Sequence, residues 1–122
     1  MSAVLVIDDE KQILDLVKTA LTLHGYEVEV AADGYEGIRK FDRRRYDIVI
    51  TDFCMPVLDG LSVVHHIRES KKGATPVMGI SGTPWNMTGA DFDVILEKPF
   101  SIKALVEHVA VLEEKGEASV GK

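Results

Sequence analysis

The chain has 122 residues, 46% of them apolar and 28% charged, with one cysteine and a formal net charge of −6 from 14 Lys and Arg against 20 Asp and Glu. That balance describes a single globular domain whose core needs no staples, and one cysteine cannot form an internal disulfide. The negative charge disfavours nucleic acid and anionic lipid, the start MSAVLVIDDE lacks the basic flank of a secretory signal, and no apolar run reaches the roughly 20 residues that span a bilayer, so a cytoplasmic protein is expected.

Ala3–Ile7 is a continuous apolar run that stops at Asp8 and Asp9, the pattern of a buried strand followed by a helix start. Ile13, Leu14, Val17 and Leu21 recur at helical spacing up to His24-Gly25, a histidine over the negative helix end and then a left-handed cap. Tyr26–Val30 alternates Val28 and Val30 with Glu27 and Glu29, which suits an edge strand with one wet face. After Asp33-Gly34 a second helix turns Ile38 and Phe41 inward and ends at Arg43, Arg44 and Arg45, read as a solvated cluster matched to the helix C-terminus. Asp47–Thr51 holds another apolar strand, placed centrally, and Asp52 follows it. Next come a turn with Pro56 and Asp59-Gly60, a helix carrying Leu61, Val64 and Ile67, and a fourth strand at Val77–Ile80. From Ser81 the pattern falters, because Gly82, Pro84 and Gly89 interrupt helical continuity; a helix here is short or absent, and Trp85 has no assigned role. Val94–Leu96 is the last strand, Lys98-Pro99-Phe100 closes it, and Ile102, Leu105, Val106, Val109 and Leu112 form one face of a final helix. The folded domain is read as 1–115 and Gly116–Lys122 as a flexible tail.

Five strands alternating with helices imply an α/β, doubly wound parallel sheet with helices on both faces. With the alternating second strand at an edge, the order is 2-1-3-4-5, and ligands bind at the switch point between the first and third strands. Asp8, Asp9, Asp52, Ser81 and Lys98 all emerge at that rim. Three carboxylates within about 5 Å of one another repel by about 3 kcal/mol per pair at an effective dielectric near 20, so cations must offset them. Lys98 supplies one charge, and a hard divalent ion with oxygen ligands, Mg2+ above all, supplies the rest. Asp52, alone at the end of the central strand, is the candidate nucleophile for an aspartyl phosphate, and the adjacent Asp8 and Asp9 suit the metal.

The acidic pair in VIDDE, the motif DFCMPVLDG, the hydroxyl-small pair in ISGT and the KPF near the end, taken in that order, resemble the receiver domain of two-component response regulators, which has a flavodoxin-like fold. The resemblance runs from about Val4 to Leu112. It implies that Asp52 accepts phosphate from a sensor histidine kinase or a histidine phosphotransfer protein. It also implies that Asp9 ligates Mg2+ directly, that Asp8 acts through water, and that the Cys54 backbone carbonyl completes the protein ligands. Ser81 is then expected to hydrogen-bond the phosphoryl group and Lys98 to pair with it, with a Lys98-Pro99 bond that is often cis in the family. Such a domain catalyses only its own phosphorylation and dephosphorylation. Two departures stand out: the interval from Ser81 to Lys98 is at least one helical turn short of the family norm, which truncates the family's fourth helix, and Ile95 stands where many members carry Tyr or Phe. The aromatic rotamer switch of those members is therefore not expected here.

Blander roles stand beside these. Asp9 and Gln12 also form a candidate helix-capping pair, and Cys54, with no feature that lowers its thiol pKa, is read as a small packed side chain. His24, His65, His66 and His108 are read as structural or solvated, since the adjacent His65 and His66 point to different sides of a helix. A flavin carrier shares the strand order, but Asp8-Asp9-Glu10 repels its phosphate. A Mg2+-dependent phosphohydrolase with an aspartate nucleophile and an unphosphorylated receiver-like adaptor are the remaining alternatives.

Overall fold

A strand that is buried at every position has two faces to cover, and the first, third and fourth strands of this chain are of that kind. The computed structural model describes residues 2–83 and 91–120, with side chains described to residue 115. Its elements are β1 (Ala3–Ile7), α1 (Lys11–Leu23), β2 (Glu27–Ala31), α2 (Gly34–Arg43), β3 (Ile48–Asp52), α3 (Gly60–Glu69), β4 (Val77–Ser81), β5 (Val94–Glu97) and α4 (Ile102–Val120). The strands form one parallel sheet in the order β2-β1-β3-β4-β5, as expected.

Strand periodicity divides the core in two. Val4, Val6, Ile48, Ile50, Met78 and Ile80 face Leu14, Val17 and Leu21 of α1 and Leu105, Val109 and Leu112 of α4. Their neighbours Leu5, Ile7, Val49 and Val77 face Phe41 of α2 and Val63, Val64 and Ile67 of α3. β1, β3 and β4 are buried throughout, whereas β2 and β5 lie at the edges and are partly exposed. The edge β2 begins at Glu27 rather than Tyr26, because the Tyr26 amide donates back to Leu21 O at 3.1 Å to close α1, and Gly25 makes the turn with φ +89°. The His24 ring meets Ala20 O at 2.8 Å over that helix end.

Two expectations change. The α1 N-cap is Glu10, without a side-chain capping bond, so Asp9 does not cap with Gln12. Arg44 is not part of a merely solvated cluster: the chain turns extended there, and its guanidinium pairs with Glu27 at 2.7 Å and Glu29 at 2.6 Å on β2 while lying over the Tyr46 ring. Helix α4 runs from Ile102 to Val120. The truncated helix expected between β4 and β5, and Trp85 with it, fall largely on 84–90, outside the described residues; the flanking 82–83 and 91–93 are not helical.

Candidate functional site

Each acidic residue of the site is fixed by the strand that ends at it. The Asp8 amide donates to Ala31 O at 3.1 Å, which extends the β1–β2 ladder by one rung and holds Asp8 at the rim. Its side chain is fully buried; Oδ1 accepts from the Glu10 amide at 2.9 Å, while Oδ2 is buried with no hydrogen-bond partner among the described residues. Asp52 is the last residue of β3 and is also buried. The loop after it folds back, so that the Gly60 amide donates to Phe53 O at 3.0 Å, and Asp59 then caps α3 by accepting from the Ser62 amide at 2.9 Å. Gly60 is required by this return: a Cβ there would sit 2.4 Å from the Asp52 carbonyl oxygen.

From the other side, the Lys98 amide donates to Ser81 O at 2.8 Å, tying the end of β5 to the end of β4. Lys98 Nζ lies 3.4 Å from Asp52 Oδ1 and 3.3 Å from Glu10 Oε1. The Lys98-Pro99 bond is cis. Ser81 is buried, with its hydroxyl accepting from the Thr83 amide at 2.9 Å. Cys54, two residues past Asp52 in the loop before α3, has an exposed side chain rather than the packed one expected. Carboxylate oxygens of Asp8, Asp9, Glu10 and Asp52 lie within 4.8 Å of one another.

The structure thus brings Asp8, Asp9, Asp52 and Lys98 to one point, with Ser81 held beside them by the Lys98 amide. Sequence reasoning missed Glu10 as a member. The signal was the third consecutive acid after β1, yet its partner is 88 residues away and nothing local names it. An apolar depression of about 400 Å³, lined by Ile13, Leu16, Pro99 and Phe100, borders Lys98.

Burial pushes the Asp8 carboxyl up to about 6; the Glu10 amide and Lys98 work against this, and the charges of Asp52 and Glu10 add to it. Asp52 is also raised, by burial first, against the opposing pull of Lys98 and the Cys54 amide and with Asp9 adding to it. For Lys98, burial acts to lower the ammonium pKa, but Asp52, Asp8 and Glu10 outweigh it and the net shift is upward. An oxygen-only donor set, clustered acids and an unpartnered buried carboxylate oxygen together fit a small hard divalent cation, which would satisfy Oδ2 and neutralise the cluster.

The receiver-domain model of response regulators matches residues 4–110. The transcriptional regulatory protein TrcR of Mycobacterium tuberculosis is 40% identical over 108 residues, covering 84% of this chain and 42% of that protein. The chain spans about half the length of the curated relatives it matches. Among solved structures, the response regulator TrrA of Thermotoga maritima, in complex with Mg2+-BeF, is 34% identical with a TM-score of 0.84, covering 92% of this chain and 99% of that one. The receiver domain of a Pseudomonas aeruginosa sensor histidine kinase, with magnesium coordinated in its active-site cleft, is 28% identical with a TM-score of 0.82, covering 93% and 95%.

Proposed function

The chain belongs to the response regulator receiver domain family, and from that premise we propose that its Asp52 accepts a phosphoryl group from a phosphohistidine, borne by a sensor histidine kinase or a histidine phosphotransfer protein. The observation that carries this reading is the buried Asp52 carboxylate 3.4 Å from Lys98 Nζ, beside the unpartnered Oδ2 of Asp8. Asp8, Asp9, Asp52 and the Cys54 carbonyl would hold Mg2+, which when bound neutralises the acids and the incoming phosphoryl oxygens. The magnesium in the Thermotoga and Pseudomonas receiver structures supports that assignment.

An Asp52 carboxylate oxygen attacks phosphorus while the bond from phosphorus to the donor nitrogen breaks and the electron pair leaves with the imidazole. Lys98, held at the rim by the hydrogen bond that its backbone amide donates to Ser81 O, moves its ammonium from the Asp52 carboxylate to a phosphoryl oxygen. The Ser81 hydroxyl, which accepts from the Thr83 amide, donates its own proton to another. The domain catalyses nothing beyond its own phosphorylation and the later loss of phosphate. The apolar depression formed by Ile13, Leu16, Pro99 and Phe100 beside Lys98 receives the donor protein, and with a net charge of −6 the domain contacts proteins rather than nucleic acid. The output signal leaves without an aromatic switch, since half-exposed Ile95 occupies that position on β5.

The test is intact mass after incubation with Mg2+ and acetyl phosphate. Wild type should gain one labile phosphoryl group and Asp52→Asn none. No gain in wild type would leave the unphosphorylated adaptor in its place, and many turnovers on phosphate esters would favour the hydrolase.

A further inference from the structure

Glu10 is the one acid of the cluster that the proposed phosphotransfer does not use. It occupies the N-cap position of α1 yet makes no side-chain capping bond, so its carboxylate has no helical duty. It reaches across the rim instead, to Lys98 Nζ at 3.3 Å, on an ammonium that lies 3.4 Å from Asp52 Oδ1. Lys98 is therefore shared almost equally between an exposed acid and a buried one: the Glu10 side chain is 59% exposed and that of Asp52 is 4%.

We infer that Glu10 is a positioning residue that acts through Lys98, holding the ammonium in the unphosphorylated state and releasing it only when a phosphoryl group on Asp52 competes for it. The inference rests on the phosphoacceptor reading of Asp52. A phosphoryl group carries more charge than one carboxylate and accepts at three oxygens, so it wins the lysine from an exposed glutamate, but the broken pair subtracts from its stabilisation. An exposed ion pair is weak enough to be broken in this way and strong enough to be felt, at about two- to fivefold in an equilibrium or a rate. With acetyl phosphate as donor, an Asp52 oxygen bonds to phosphorus as acetate departs with the electron pair of the broken P–O bond, and no proton is transferred. The charge that Lys98 must meet is then all on the phosphoryl oxygens.

The probe is beryllofluoride, a phosphoryl mimic, titrated at saturating Mg2+ onto wild type, Glu10→Gln, Lys98→Met and the double variant, with initial phosphorylation rates by acetyl phosphate in parallel. Glu10→Gln should bind beryllofluoride about two- to fivefold more tightly and accept phosphate faster by a similar factor, and the gain should vanish in the Lys98→Met background. An equal gain in both backgrounds overturns the inference, because Glu10 would then act by direct repulsion. Unchanged affinity also overturns it, as does weakened Mg2+ binding by Glu10→Gln with no gain for beryllofluoride, which would make Glu10 a metal ligand. If wild type neither binds beryllofluoride nor takes up phosphate, the phosphoacceptor reading itself fails, a result distinct from all of these.

Discussion

Replacing Asp8 with Asn should stabilise the metal-free protein near neutral pH while abolishing its stabilisation by Mg2+. Asp8 is fully buried, its Oδ2 has no hydrogen-bond partner among the described residues, and burial raises its pKa from 3.8 to about 6. A carboxyl whose pKa rises on folding binds protons more tightly in the native state. Its penalty is therefore absent below the unfolded value, grows as pH climbs from about 4 to about 6, and persists in full above that. Each pK unit is worth about 1.4 kcal/mol, so the ionised side chain costs the fold about 2–3 kcal/mol at neutral pH. Asn cannot ionise, keeps an oxygen to accept from the Glu10 amide, and places an N–H where Oδ2 now faces other acids. Urea denaturation in a chelator should accordingly show Asp8→Asn more stable than wild type by about 2–3 kcal/mol near neutral pH, with the gap closing towards pH 4. Adding Mg2+ at about a hundred times its dissociation constant should stabilise wild type by about 2.7 kcal/mol and the variant by little. An Asn variant that is less stable in chelator near neutral pH, or a gap that does not shrink on acidification, would refute the reasoning.

Gly60→Ala, which drives a Cβ to 2.4 Å from the Asp52 carbonyl oxygen, should cost about 1–3 kcal/mol and slow phosphate uptake, read by urea denaturation and by intact mass over time. Asp93 accepts from Arg68 and from the Val77 amide, each at 2.8 Å, and from Lys115 at 2.9 Å; Asp93→Ala should cost about 2–4 kcal/mol in the same denaturation assay. Burial acts to raise the Asp93 pKa, but Lys115, the Val77 amide and Arg68 hold it below the ordinary value, so its contribution is present above the unfolded pKa and is lost as pH falls through the depressed one; wild type and Asp93→Ala should converge in strong acid. Val57 is exposed at φ +70°, a conformation that costs a β-branched residue about 1–2 kcal/mol, so Val57→Asn should raise the thermal midpoint by a few degrees. Leu16→Asp, in the apolar depression beside Lys98, should slow phosphotransfer from a phosphohistidine protein about tenfold or more and leave the rate with acetyl phosphate unchanged.

Apolar periodicity is a local record of burial, and it located β1, α1 and β4 almost to the residue because each buries its pattern within one element. The same record placed Asp8, Asp9, Asp52, Ser81 and Lys98 at a common rim, since each directly follows or ends a parallel strand and parallel strands all end on the same side. Capping chemistry was less legible. Asp9 and Gln12 have the spacing of a capping pair, yet the helix begins one residue later, because the Asp8 carboxylate takes the Glu10 amide and turns the chain before α1 starts.

Strand order, the two-faced core and the acids at the switch point therefore follow from the amino-acid sequence alone, because hydrophobic alternation and chain connectivity are properties of neighbouring residues. Only the tertiary structure decided that Glu10 shares Lys98 with Asp52, that Arg44 braces the β2 edge, and that Arg68 and Lys115 converge on Asp93. These are polar contacts between groups distant in the chain. Long charged side chains have many partners within reach, and the choice among them is made by loop path and strand register, which no periodicity encodes.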